Sequence, residues 1–175
     1  MKLIIRKFWF KWSIDDCMAG LFRIPQLKEQ FDEGFLNDCE IRPRGIKIYP
    51  GYYPADDILA MMPESKKDVY LVLSSMDLKG DYGRVHGKGY NRKAIASNNA
   101  FIDGFGMFDT NDIGFNAIVF HEIGHALCLA HHSYEPSDSC EMSSNEHLDE
   151  PWPCLEDIRF CDDCYREFCK ITKIL

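Results

Sequence analysis

His121-Glu122-Ile123-Gly124-His125 is the stretch on which the reading of this chain turns, and a third histidine, His131, follows six positions later. The surrounding residues, from about Asn111 to Cys128, read as a long helix with Asp109 or Thr110 as N-cap and Asp112 in the favourable first turn. Two histidines four apart on a helix lie about 40° apart around its axis, so both imidazoles reach one metal. Glu122 is about 100° round from His121, beside that metal position without ligating it. Zinc held by neutral imidazoles keeps an open position for water and lowers its pKa to about 7. A neighbouring carboxylate is the general base such a water needs. The chemistry implied is amide hydrolysis, with Glu122 taking the proton and passing it to the leaving amine.

His131 imposes a geometric condition. On an unbroken helix it would stand about 120° round from His125 and roughly 9 Å further along the axis, out of reach of the same metal. The chain must therefore turn sharply between residues 126 and 131. Glycine is the usual residue at such a turn, because a left-handed conformation costs other residues about 1–2 kcal/mol. Here Cys128 stands at that position.

Working outward, residues 2–12 mix apolar and basic side chains and read as a first strand. Its aromatic run, Phe8-Trp9-Phe10-Lys11-Trp12, is expected to pack on a helix. Ile24, Leu27, Phe31 and Phe35 recur at helical spacing, predicting a helix over Ile24–Phe35 that Gly34 weakens. Glu40–Tyr49 reads as a strand broken by Pro43 and Gly45, and Ala55–Met62 as a short helix after Pro54. Asp68–Ser75 is a continuous apolar run of the buried-strand type. Gly80–Tyr90 carries four glycines but lacks the Gly-Lys-Ser/Thr step of a phosphate cradle, so it reads as a loop leading to an edge strand. Arg92–Ser97 is a strand, and the cysteine-rich tail ends in a helix over Asp162–Lys173.

The 175 residues suffice for one domain, and 46% hydrophobic residues suffice for a core. Twenty basic against 28 acidic side chains leave a net charge of −8, which disfavours nucleic acid and anionic membranes as partners. No apolar stretch approaches the roughly 18–20 residues that span a bilayer. Met1-Lys2-Leu3-Ile4-Ile5-Arg6-Lys7 is interrupted by charge too early for a secretory signal. Five of the eight cysteines lie between Cys140 and Cys169. Without an export signal, metal ligation by reduced thiols in the cytoplasm is the better reading than disulfides. A monomer is expected.

The run His121–His131, then Cys140-Glu141-Met142, then Cys161-Asp162-Asp163-Cys164, resembles the archaemetzincins, a branch of the metzincin zinc peptidases. The match is close over about residues 111–170 and looser upstream. It implies an α/β (α+β) fold in which a twisted mixed sheet of four or five strands backs the long zinc-binding helix. Residues 1–131 would form the upper part of a single metallopeptidase domain, 1–175, and residues 132–175 an irregular, cysteine-rich lower part. It implies a catalytic zinc on His121, His125 and His131, with Glu122 as base and Met142 in a turn beneath the metal.

The resemblance also implies a second, structural zinc. The family holds it with four cysteines, of which Cys140, Cys161 and Cys164 are present; where the family has the fourth, directly after the third histidine, this chain has His132. A three-cysteine, one-histidine site is ordinary zinc chemistry, and Cys154 is the alternative fourth ligand. Cys17, Cys39 and Cys169 have no assigned partner. The expected substrate is a peptide or small protein in extended form, lying along an edge strand over Gly83–Tyr90, near which His86 and Tyr90 are candidate contacts. The alternative is a catalytically inactive zinc-binding module of the same fold.

Overall fold

In chain order the elements are β1 (Lys2–Phe8), α1 (Ile14–Leu21), α2 (Pro25–Gln30), β2 (Asp32–Glu40), β3 (Tyr53–Pro54), α3 (Ala55–Ala60) and β4 (Val69–Ser74). There follow β5 (Leu78–Gly80), β6 (Gly83–Val85), β7 (Gly87–Tyr90), β8 (Lys93–Ser97), α4 (Ile113–Ala126), a 3₁₀ turn at Leu155–Asp157, and α5 (Asp162–Lys173). The computed structural model of the chain describes residues 1–40, 52–81, 83–99, 113–133, 140–143 and 154–173, with the backbone alone for 32–40 and 173.

The main sheet has the order β2-β1-β4-β8-β7. Its first four strands are parallel, and β7 runs antiparallel along β8 at the edge. β3, β5 and β6 form a smaller sheet. Parallel strands need cover on both faces, which is why β4 reads as an almost unbroken apolar run. Side chains alternate across it: Leu71 and Leu73 join Leu3, Ile5, Ala94 and Ala96 in the cluster that includes residues of α1, α2, α4 and α5. Val72 joins Phe8 and Ile95 in the cluster beneath α3. Ala94 and Ala96 are the small residues of β8 on the face where α4 packs.

Several expectations need correction. Helix α1 was not expected, yet Ser13 caps it by accepting from the Asp16 amide at 3.4 Å, and Asp15 and Asp16 occupy its first turn. The helix expected over Ile24–Phe35 stops at Gln30: Pro25 sits at its first position and Phe31 is already extended. Ile24, Leu27 and Phe31 are buried as the spacing requires. Beyond them, residues from Asp32 pair in parallel with β1, and a full strand ladder outweighs the weak helical pattern through Gly34.

The first strand ends at Phe8, not at residue 12, because Trp9 takes a positive φ of 52°. Phe10 stacks on Phe115 of α4 with centroids 6.1 Å apart, whereas Trp9 and Trp12 are exposed. Within Gly80–Tyr90 the expected edge strand is β7, while Gly80 ends β5 and Gly83–Val85 forms β6 where a loop was expected. Of the strand expected over Glu40–Tyr49, all but Glu40 lies outside the described residues, as do the α4 cap candidates Asp109 and Thr110 and the first-turn Asp112.

Candidate metal centre

Helix α4 carries His121 and His125 on one side, with ring centroids 4.6 Å apart. The helix then closes on a left-handed residue. Cys128 has φ 65°, its amide donates to the His125 carbonyl at 2.9 Å, and the Leu129 amide donates to the Gly124 carbonyl at 3.0 Å. These paired bonds are the Schellman arrangement that ordinarily uses glycine. The turn swings the following residues back, and His131 Nε2 comes within 3.0 Å of both His125 Nε2 and His121 Nε2.

The other ring nitrogens show which atoms are available. His121 Nδ1 lies 2.5 Å from the Glu141 carbonyl oxygen, and His125 Nδ1 lies 3.0 Å from that of Leu129. A carbonyl only accepts, so both Nδ1 atoms carry the proton and both Nε2 atoms present lone pairs. Burial and the neighbouring His125 hold the His121 pKa down to about 4, and burial likewise lowers that of His125. Neutral imidazoles aiming lone pairs at one point repel unless a cation lies between them. Tetrahedral zinc separates nitrogen ligands by about 3.3 Å, close to the spacing found, so the donor set fits zinc with a fourth position left over.

Glu122 is 7% exposed, and its Oε2 has no hydrogen-bond partner among the described residues. Burial pushes its carboxyl up to about 8, against the opposing pull of the Lys88 charge. Strand β7 lies directly against it. A Cβ on Gly87 would fall 2.5 Å from Glu122 Cγ, and one on Gly89 would fall 2.9 Å from His125 Cβ. Only glycine allows this approach. Residue reading missed these two positions, although glycines two apart on a strand mark one bare face. Lys88 and Tyr90 alternate to the opposite face: Lys88 pairs with Asp56 at 2.7 Å and Asp81 at 3.0 Å, and Tyr90 packs with the cluster beneath α3. Tyr90 therefore does not point toward the histidines. His86 sits between β6 and β7, its carbonyl accepting from the Ser97 amide at 2.7 Å.

Met142 is fully buried under the helix, where Gly124 leaves room: a Cβ there would fall 2.7 Å from Met142 Sδ. Phe160 stacks on Phe120 beside it, with centroids 4.1 Å apart.

The second grouping brings together His132, Cys140, Cys161 and Cys164, whose donor atoms all lie within 4.8 Å of one another. His132 Nδ1 donates to the Ser133 carbonyl at 2.9 Å, which leaves Nε2 to face Cys161 Sγ at 3.7 Å. Burial pushes the Cys140 thiol up to about 11, and burial with the neighbouring thiols raises Cys164. Thiols that oppose one another's ionisation are the set a cation would turn into thiolates, and one nitrogen with three sulfurs completes a tetrahedral zinc shell. Cys154 is elsewhere, donating to Asp157 Oδ2 at 3.0 Å. Cys17 is a core residue whose thiol burial pushes up to about 12, Cys169 accepts from Gln30 at 3.4 Å, and the side chain of Cys39 lies outside the description.

No family model matches the chain, and no protein of curated function does. Solved structures do. An archaemetzincin from Methanopyrus kandleri superposes with a TM-score of 0.70 at 22% identity, covering 99% of this chain and 96% of that one. An archaemetzincin from Archaeoglobus fulgidus, complexed with malonate, gives 0.60 at 20% identity over 95% of this chain and 99% of that one. A zinc-dependent peptidase from Methanocorpusculum labreanum gives 0.57 at 21% identity over 93% and 98%. The chain thus has the archaemetzincin fold.

Proposed function

We propose that this chain, built on the archaemetzincin fold, is a zinc-dependent peptidase. The reading is carried by three convergent Nε2 atoms beside a buried carboxyl group. His121, His125 and His131 would hold a catalytic zinc, and His132, Cys140, Cys161 and Cys164 a structural one. Bound at the histidines, zinc supplies Lewis acidity and a water of lowered pKa.

The chain's own groups do the rest. Glu122 accepts a proton at a carboxylate oxygen from the attacking water and returns it to the departing amine nitrogen. A buried carboxyl with a raised pKa is suited to both halves of that transfer. The Glu141 and Leu129 carbonyls hold the two helical imidazoles in the tautomer that offers Nε2. Strand β7 pairs with β8 along one edge and with no strand among the described residues along the other. An extended peptide adds there as a further strand, its backbone supplying most of the recognition. The substrate is accordingly a peptide or small protein, and the reduced thiols suit the cytoplasm.

A peptide-library digest of the zinc-loaded protein, with and without a chelator and alongside Glu122→Ala, tests this reading. Chelator-sensitive cleavage that the variant lacks is expected. Cleavage at the parent rate by Glu122→Ala would show that the base is wrong, and a zinc-loaded parent that cleaves nothing would remove the peptidase.

A further inference from the structure

The two groupings are joined at two places in the backbone. His131 and His132 are consecutive residues, one facing each grouping. The second join runs through residues 140–143. Cys140 belongs to the sulfur cluster, and the next carbonyl, that of Glu141, accepts a hydrogen bond from His121 Nδ1 at 2.5 Å. The joins are themselves tied together: the His132 amide donates to the Met142 carbonyl at 3.0 Å, within a bridge between His132 and Ser143. Ser143 secures the turn by donating from its amide and its hydroxyl to the Cys140 carbonyl, at 3.0 and 2.8 Å. The Glu141 amide donates to the Arg159 carbonyl at 3.0 Å, just before the Cys161–Cys164 pair.

Among the described residues outside α4, the backbone that orients His121 and carries His131 is thus fastened next to residues of the sulfur cluster. The cluster brings three thiols and an imidazole together with their donor atoms within 4.8 Å of one another, a spacing a shared cation would fix. A metal there would pin Cys140 and His132 to α5, and with them the Glu141 carbonyl and the backbone of His131.

We propose that the His132/Cys140/Cys161/Cys164 cluster is the positioning device of the histidine triad, so that metal in the cluster is required for tight metal binding by the triad. The proposal rests on reading both groupings as zinc sites, but not on peptide cleavage. Outer partners of ligating histidines commonly change metal affinity by about 10–100-fold, and here the outer partner of His121 moves with the cluster.

The test is zinc affinity of the triad, measured by competition with a chromophoric chelator in the parent, Cys161→Ser, His132→Gln and His132→Cys, with circular dichroism to confirm folding. Cys161→Ser should weaken the triad by about 10–100-fold, and His132→Gln should act in the same direction but less. His132→Cys keeps four ligands and should restore parental affinity. Cobalt titration of the parent gives an independent reading, since only the cluster yields thiolate-to-metal absorption. That band should rise before the weaker bands of the nitrogen site.

A folded Cys161→Ser protein whose triad binds zinc within twofold of the parent overturns the proposal. So do nitrogen-site cobalt bands that grow ahead of the thiolate band, an outcome that decides the matter even if Cys161→Ser fails to fold. A parent protein whose triad binds no zinc would instead overturn the peptidase reading.

Discussion

The histidine triad and the sulfur cluster take adjacent residues, His131 and His132, from one short turn, yet their surroundings differ in every respect that matters for zinc chemistry. The triad offers three nitrogens, ends in an exposed His131 and borders a buried carboxylate. The cluster offers three sulfurs and a nitrogen, with Cys140 buried, a set that would close a tetrahedral shell. Three ligands with an open side suit a reaction, whereas four suit a structural brace. Ligand number and solvent access, rather than the choice of metal, separate the two roles.

The sharpest way to break that contrast is Glu122→Ala. It should leave two zincs per chain and lower kcat/KM by about 10²–10⁴-fold, the range general bases contribute, read by metal analysis beside a fluorogenic peptide assay. Cys161→Ser attacks the other side. It should lower the zinc content by one ion per chain and cost several kcal/mol of stability, a loss of roughly 6–20 °C in Tm for a chain of this size. A variant with unchanged Tm would show that the cluster is not a brace.

Gly89→Ala tests the triad's other wall. Its methyl would run into the backbone carbonyl of Glu122 and crowd His125 Cβ at 2.9 Å and the Ala126 nitrogen at 3.0 Å, so urea denaturation should show a loss of about 3 kcal/mol or more. The effect should reach cleavage without displacing cluster zinc.

A pH series on metal-free protein isolates Glu122. Burial raises its carboxyl from 4.5 to about 8, so the stability it contributes is complete below the unfolded value and is lost as pH rises through the folded one. His121 and His125, both lowered in the folded chain, still bind protons near their ordinary 6.5 when unfolded and oppose that slope until about pH 7. Stability should fall by roughly 1 kcal/mol between pH 7 and 8. Glu122→Gln should flatten that part of the curve. The smallest effect is expected at the hinge between the sites: Cys128→Gly relieves the left-handed strain but loosens the unfolded chain, a net gain of about 0.5–1 kcal/mol by thermal melt.

Local features were legible where their causes are local. The period of a helix brings His121 and His125 to one side whatever surrounds them, and the β4 run shows burial on both faces. Cys128 shows as a turn residue because His131 demands a turn. Helix α1 carries its own local signals, in Ser13, the acidic first turn and the spacing of Ile14, Cys17, Met18 and Leu21, though no element was expected there. The switch from helix to strand at Phe31 was not legible, because the partner that extends Asp32–Glu40 is β1, some thirty residues upstream.

By itself the sequence determined the donor set: which imidazoles and thiols are present, their spacing along the chain, and the carboxylate beside them. Tertiary structure alone decided that β7 presses two glycines against Glu122, that a carbonyl next to Cys140 orients His121, and that His132 rather than Cys154 meets the three cysteines. The reason is physical. Helical period and turn strain act between neighbours in sequence, whereas close packing and hydrogen bonding act between neighbours in space, and only the folded chain specifies which those are.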